Sequence, residues 1–153
     1  MSVLTLEHVK VEKLRPEEWP LLVQMYDTFD SEQGHGPPPT DPLRRNAWLE
    51  SLKEGVNLVA WTSDKREKNA GHLILMPSEV CAEMAIFVHP GCRRQGVAWS
   101  LAEAGVEEAR LRGYRSLWVP ISAANVAARH GLRKFGFETL WEKQGQVQMM
   151  YRL

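Results

Sequence analysis

The sequence predicts a mixed α/β fold: a central sheet of about six or seven strands with helices on both faces. Three observations support this. Strand-like and helix-like segments follow in the order β-α-α-β-β-β-α-β-α-β-β. The 153 residues suit a single domain, 1–153, with a core large enough to sustain itself. A composition 44% hydrophobic and 25% charged is that of an ordinary globular chain.

Each element has its own signal. Val3 to Val11 alternates polar and apolar residues as an opening strand, with Val9 and Val11 on one face. Pro16 opens a helix where its missing N–H costs nothing, and Leu22, Met25, Tyr26 and Phe29 form its apolar stripe. The segment 30–40 contains three consecutive prolines and reads as a stiff, extended connector. Asp41 as N-cap, Pro42 at the first position and Gly55 as the stop frame a second helix. Asn57–Thr62 and Ala70–Met76 read as strands around a polar turn at 63–69, and Val80–Val88 as a further strand closed by Pro90. A helix follows over Gly96–Arg112, with Ala98, Leu101, Ala102, Gly105, Val106 and Ala109 as its stripe and Gly113 ending it. Ser116–Ile121 reads as a strand and Asn125–Lys134 as a short helix. Phe137–Trp141 and Val147–Leu153 complete the sheet as a strand pair.

Composition excludes several functional classes. No stretch approaches the roughly 20 apolar residues of a membrane span, and the first residues lack a basic-then-apolar signal layout. Cys81 and Cys92 are too few for a disulfide framework, which points to a reducing cytoplasm. They read as small core or turn residues rather than nucleophiles. His8, His35, His72, His89 and His130 show no metal-ligand spacing, so no metal is expected. A net charge of zero argues against a nucleic-acid partner. That zero hides an asymmetry: residues 1–76 carry 9 Lys+Arg and 12 Asp+Glu, a net of −3, whereas 77–153 carry 10 and 7, a net of +3. A split of this size is common by chance, and it takes on a functional meaning only where a motif supports one.

The chemistry concentrates after Val88. A strand ends, a tight turn follows, and Arg93-x-x-Gly96-x-Ala98 leads into a helix. A helix start leaves backbone N–H groups without partners and carries partial positive charge. Gly96 and Ala98 let a diphosphate approach that backbone, and Arg93 and Arg94 add charge. The plainer alternative is a strand-turn-helix connection with a solvated arginine pair. Neither a Walker loop nor a dinucleotide fingerprint fits: the Gly-Lys-hydroxyl sequence is missing, and Gly96 stands alone and late in the chain.

Arg93-x-x-Gly96-x-Ala98 resembles the signature of the GCN5-related N-acetyltransferase (GNAT) family. A second block agrees, Asn125-x-x-Ala128 followed by Lys134-x-Gly136-Phe137. By motif the resemblance covers roughly residues 70–140, and by element order the whole chain. It implies acetyl-CoA as donor and a GNAT fold whose sheet splays between the strands at 80–88 and 116–121. The pantetheine arm would pair in that gap with backbone at Ile86, Phe87 and Val88. The pyrophosphate would sit on Arg94, Gln95, Gly96, Val97, Ala98 and Trp99, beside Arg93. Asn125 matches the family's asparagine near the cofactor arm and equally suits an N-cap. Arg129, Arg133 and Lys134 could face the 3′-phosphate or simply be solvated.

Two frequent catalytic groups of similar proteins are missing. The tyrosine that protonates the departing thiolate is replaced by Leu132, and a glutamate on the fifth strand by Pro120. A thiolate with a pKa near 8.5 leaves without a strong acid, but an amine must still lose its proton. Glu83 is the leading candidate for that base, with His130 and His89 behind it; Tyr114 or Tyr151 could stand in for the lost tyrosine. Tyr26, Phe29 and His35 fall where similar proteins bind the acceptor. Trp61, Trp118 and Trp141 read as core, while Trp99 could pack on the cofactor or at a subunit contact.

The expectation is therefore an N-acetyltransferase acting on a primary amine, of a small molecule in the first instance, by direct attack in a ternary complex. A non-catalytic acyl-CoA-binding module and a protein N-acetyltransferase remain as rivals. Similar proteins are frequently dimers, so a homodimer is also among the expectations.

Overall fold

The computed structural model describes residues 9–29, 38–62, 66 and 68–153. Its seven strands are β1 (Lys10–Lys13), β2 (Val56–Trp61), β3 (Asn69–Ser78), β4 (Cys81–Val88), β5 (Ser116–Ser122), β6 (Glu138–Lys143) and β7 (Gln146–Arg152). They form one sheet in the order β1-β2-β3-β4-β5-β7-β6. Every neighbouring pair is antiparallel except β4 and β5. That single parallel step requires a crossover, which α3 (Val97–Leu111) supplies.

Alternation along the strands fills two cores, one on each face. On one face α3 and α4 (Val126–Phe135) cover Leu73, Leu75, Met84, Leu117, Val119 and Met149. On the other, α1 (Trp19–Asp27) and α2 (Pro42–Leu52) cover Val59, Trp61 and Ile74. Small residues set the approach of α3. A Cβ on Gly105 would lie 2.7 Å from Leu73 Cδ1, and one on Gly71 would lie 3.0 Å from the Phe87 carbonyl oxygen. Both glycines let the helix rest directly on the strands.

Local signals correct several boundaries. Pro16–Glu18 forms a 3-10 turn, so α1 begins only at Trp19 and ends before Phe29. Asp41 sits at the N-cap of α2 without a side-chain cap bond, and α2 ends at Leu52, three residues before Gly55. A Cβ on Gly55 would lie 2.6 Å from the Leu75 carbonyl oxygen, so close approach to β3 requires that glycine. At the end of α3, Gly113 takes φ +79° and Tyr114 N–H reaches Ala109 O at 3.1 Å, the expected glycine termination. The start of the opening strand and most of the 30–40 and 63–69 segments lie outside the described residues.

Arg66 ties the β2–β3 hairpin to the chain's beginning. Its Nε and Nη2 grip Glu18 at 2.6 Å each, Nη2 also donates to Lys13 O at 2.9 Å, and Nη1 pairs with Glu12. The guanidinium lies 5.1 Å from the Trp61 ring centre. Trp61 is core, as its strand position suggests, but Trp118 and Trp141 are not: they are 36% and 50% exposed. The reason is that α1 and α2 pack against β2, β3 and the end of β4, and among the described residues no helix covers that face of β5-β7-β6.

Candidate active site

The site begins where β4 and β5 part. Their pairing has three rungs, Cys81–Ser116, Ala82–Leu117 and Glu83–Trp118, and then stops. Beyond it Ala85, Ile86, Phe87 and Val88 are all half-buried, although β4 lies at the centre of the sheet.

Backbone direction can be read from the bonds at the strand ends. His89 N–H donates to Ala70 O at 2.8 Å, two residues beyond the Phe87–His72 pair, so Phe87 and Ala85 turn their backbone groups toward β3. Ile86 and Val88 therefore present theirs to the gap, whereas the backbone of Phe87 faces β3. On the facing strand, Leu153 N–H bonds Arg115 O and Ala123 N–H bonds Gly145 O, so odd residues of β5 face β7 and even ones face β4. Pro120 thus stands where β5 would supply its next N–H to β4, and proline has none. The splay begins at that residue.

At the far end of β4 the chain turns through Pro90–Cys92 into α3. Gly96, the N-cap, has φ +80° and offers no side-chain cap, and Arg94 has φ +62°. Left-handed residues two apart curl the backbone so that successive N–H groups converge, and the uncapped first turn of α3 adds Val97, Ala98 and Trp99. Val97 is buried and anchors the turn, while Arg93, Arg94, Gly96 and Ala98 are exposed and Gln95 is partly so. Trp99 packs edge-on to Phe135 at 4.9 Å and so joins α3 to α4.

The opposite face of β4 carries the second half of the site. Alternation puts Glu83, Ala85 and Phe87 on the α1/α2 side, since Ala85 and Phe87 pack there. Glu83 is exposed at the foot of the gap, and its rung partner Trp118 lies beside it on the same face. Above them Phe87 meets Trp48 at 5.4 Å and Phe29 at 6.5 Å.

The expected residues are distributed unevenly across this geometry. Ile86 and Val88 lie beyond the last β4–β5 rung at Glu83, and the turn from Arg93 to Trp99 follows them at the far end of the same strand. Tyr26 is a correction: it is fully buried, and its hydroxyl donates to His72 Nδ1 at 2.7 Å. Burial raises its pKa well above the ordinary value, so it is a core phenol rather than an acceptor-binding one. Phe29 is half-buried at the cleft wall, and His35 lies outside the described residues. His89 Nδ1 accepts the Gly91 N–H at 2.9 Å and thereby braces the turn. His130 is exposed on α4, and Tyr114 and Tyr151 pack against the α3-side core. Asn125 is the N-cap of α4, accepting from Ala128 N–H at 3.2 Å, and Arg129 pairs with Glu142 at 3.2 Å. Leu132 packs on the α3-side core. Burial pushes the Cys92 thiol up, and Cys81 Sγ turns to Ser78 O at 3.2 Å, so neither is an activated nucleophile. Trp48 and Trp118 were not foreseen as site residues. Among the described residues no His, Cys, Asp or Glu group could hold a metal ion, and no helix is long and apolar enough to cross a membrane.

Comparison with known proteins agrees with this architecture. The acetyltransferase (GNAT) family model matches residues 19–137. The chain belongs to that family. Among solved structures, the GNAT domain of S. lividans PAT superposes with a TM-score of 0.79 at 19% identity, over 95% of this chain and 90% of that one. A GCN5-related N-acetyltransferase from Kribbella flavida gives 0.78 at 16% identity, over 96% and 99%. Salmonella typhimurium yncA, solved with its cofactor acetyl-CoA, gives 0.74 at 17% identity, over 96% and 95%. No curated protein sequence matches the chain.

Proposed function

We propose that this chain is an acetyl-CoA-dependent N-acetyltransferase whose acceptor is a primary amine of a small molecule, attacking directly within a ternary complex. One observation carries the reading: β4, a central strand, has no β5 partner beyond Glu83, and its unpaired length runs from that carboxylate to the turn that opens α3. The acetyl-CoA found in the Salmonella structure supports that choice of donor.

The residues suit such a donor, which would supply an acyl thioester. The left-handed turn at Arg94 and Gly96 and the first N–H groups of α3 would hold the pyrophosphate, with Arg93 and Arg94 adding charge. The backbone of Ile86 and Val88 would hold the amide-bearing arm and aim its thioester at Glu83. An amine arrives as an ammonium, and Glu83 takes its proton, directly or through one water. The freed nitrogen would then form the amide bond as the carbon–sulfur bond breaks, losing its second proton to water. The thiolate would take a proton from water, since Leu132 has none to give, and Glu83 would return its own to solvent.

Acetyl-CoA titrated against the protein should bind saturably, and amines should release free thiol in its presence. Glu83→Gln should keep that binding and lower the rate of thiol release by about 100-fold or more. Saturable binding with no thiol released from any amine would establish instead an acyl-CoA-binding module, the reading that the exchange of an acid for Leu132 favours. Absence of binding would remove both.

A further inference from the structure

We infer that Trp118 determines which amines are accepted, selecting those whose amino group is carried on an aromatic or otherwise apolar body. The inference rests on the acetyl-transfer reading and adds the chemical class of the acceptor.

Four observations converge on it. Trp118 is the β5 partner of Glu83 in the last rung before the strands part, and paired residues on parallel strands project to the same face. Its indole N–H donates to Ser116 Oγ at 2.9 Å, which fixes the ring's orientation although the side chain is 36% exposed. Farther along β4 on the same face, Phe87 packs with Phe29 and Trp48 in an aromatic cluster. The open face beyond Trp118 continues through Pro120 to the 50% exposed Trp141, with Met150 paired to Trp118.

An ammonium between Glu83 and the Trp118 ring meets a carboxylate and a π face together, while its carbon body rests on apolar walls. A second cationic end of a short diamine would have to lie against aromatic rings, since Glu138, a further carboxylate on this face among the described residues, stands beyond Met150 on β6. Diamines and hydroxylated amines are therefore disfavoured. Glu83 makes the site suit an amine, and Trp118 makes it suit an apolar one.

The test compares 2-phenylethylamine with 1,4-diaminobutane as acceptors for the wild type, Trp118→Ala and Trp118→Phe. Wild type should favour 2-phenylethylamine by at least about 10-fold in kcat/KM. Trp118→Ala should abolish that preference mainly through KM, and Trp118→Phe should keep most of it. Binding is followed separately by the indole N–H resonance of Trp118, which should shift when 2-phenylethylamine is added to the protein with coenzyme A. A shift without thiol release sustains the inference and sinks the transfer reading. Turnover without preference, or a preference unchanged in Trp118→Ala, does the reverse. Neither shift nor turnover overturns both. A dimer in sedimentation whose dissociation follows Trp118→Ala would show that a second copy occupies this face, and would also overturn the inference.

Discussion

The Tyr26 hydroxyl donates to His72 Nδ1 at 2.7 Å, and His72 Nε2 meets Asn57 Oδ1 at 2.8 Å. Asn57 Nδ2 is turned the other way, donating to Leu52 O at 2.8 Å, so Oδ1 can only accept and His72 carries its proton on Nε2. α1, β3 and β2 are thereby joined through a neutral, fully bonded chain beneath the cleft's aromatic wall. Burial lowers the His72 pKa to about 3.

That depressed value makes stability depend on pH in a definite direction. The unfolded chain protonates this histidine near pH 6.5 and the folded one only near 3, so the unfolded state binds more protons between them. The contribution is whole above about pH 6.5 and is lost as pH falls, by up to ~1.4 kcal/mol per unit. Urea midpoints between pH 5 and 6.5 lie above most carboxylate titration and should decline accordingly. Tyr26→Phe should cost about 1–3 kcal/mol at pH 7.5 by leaving Nδ1 without its donor.

Gly96 is held at φ +80° with nothing within 4 Å of where a Cβ would stand. Gly96→Ala therefore meets no clash and is penalised only by its backbone conformation, about 1–2 kcal/mol. A thermal melt should show that modest loss. Acetyl-CoA titration should show a larger one, because relaxing this residue turns the first N–H groups of α3 away from the curve made with Arg94.

Pro120 denies β5 an N–H on the side facing β4. Pro120→Val restores it and favours a further rung across the gap. Acetyl-CoA affinity should fall while the urea midpoint holds or rises; a variant that binds acetyl-CoA as tightly as the wild type would show that the splay has another origin.

Arg66 gathers Glu18, Glu12, the Lys13 carbonyl and the Trp61 ring around one guanidinium that is 13% exposed. Arg66→Ala should destabilise the fold by about 3 kcal/mol because it leaves Glu18 buried without its partner. Arg66→Lys should recover little of this, since an ammonium cannot make the two-pronged contact. Denaturant unfolding measures both.

Much of this molecule was legible in the residues, and the misreadings have physical causes. Gly96 and Arg93 announced the α3 turn because a glycine before a small-residue helix start has few other uses. Leu22, Met25 and Tyr26 share one apolar stripe, so the burial of Tyr26 was present in its spacing. Against similar proteins Pro120 marks an absent carboxylate, yet a proline in a central strand already says that one side is unpaired. Trp118 follows Leu117 and precedes Val119, and alternation places it on the other face of the sheet. Whether that face was covered depended on where α1 and α2 settle, a tertiary matter that strand periodicity does not contain. Trp48 reached the cleft for the same reason.

The three rungs between β4 and β5 also bear on the order in which the protein assembles. Hairpins join β2 to β3, β3 to β4 and β6 to β7 over short stretches of chain, whereas β4 finds β5 only after residues 89–115 have closed a loop. Closing that loop carries the greater entropic cost, and three rungs return little for it, so the two portions of the sheet meet late. The seam that forms last is the one that holds Glu83 and Trp118. Amide hydrogens along it should exchange sooner than those of the β3–β4 hairpin.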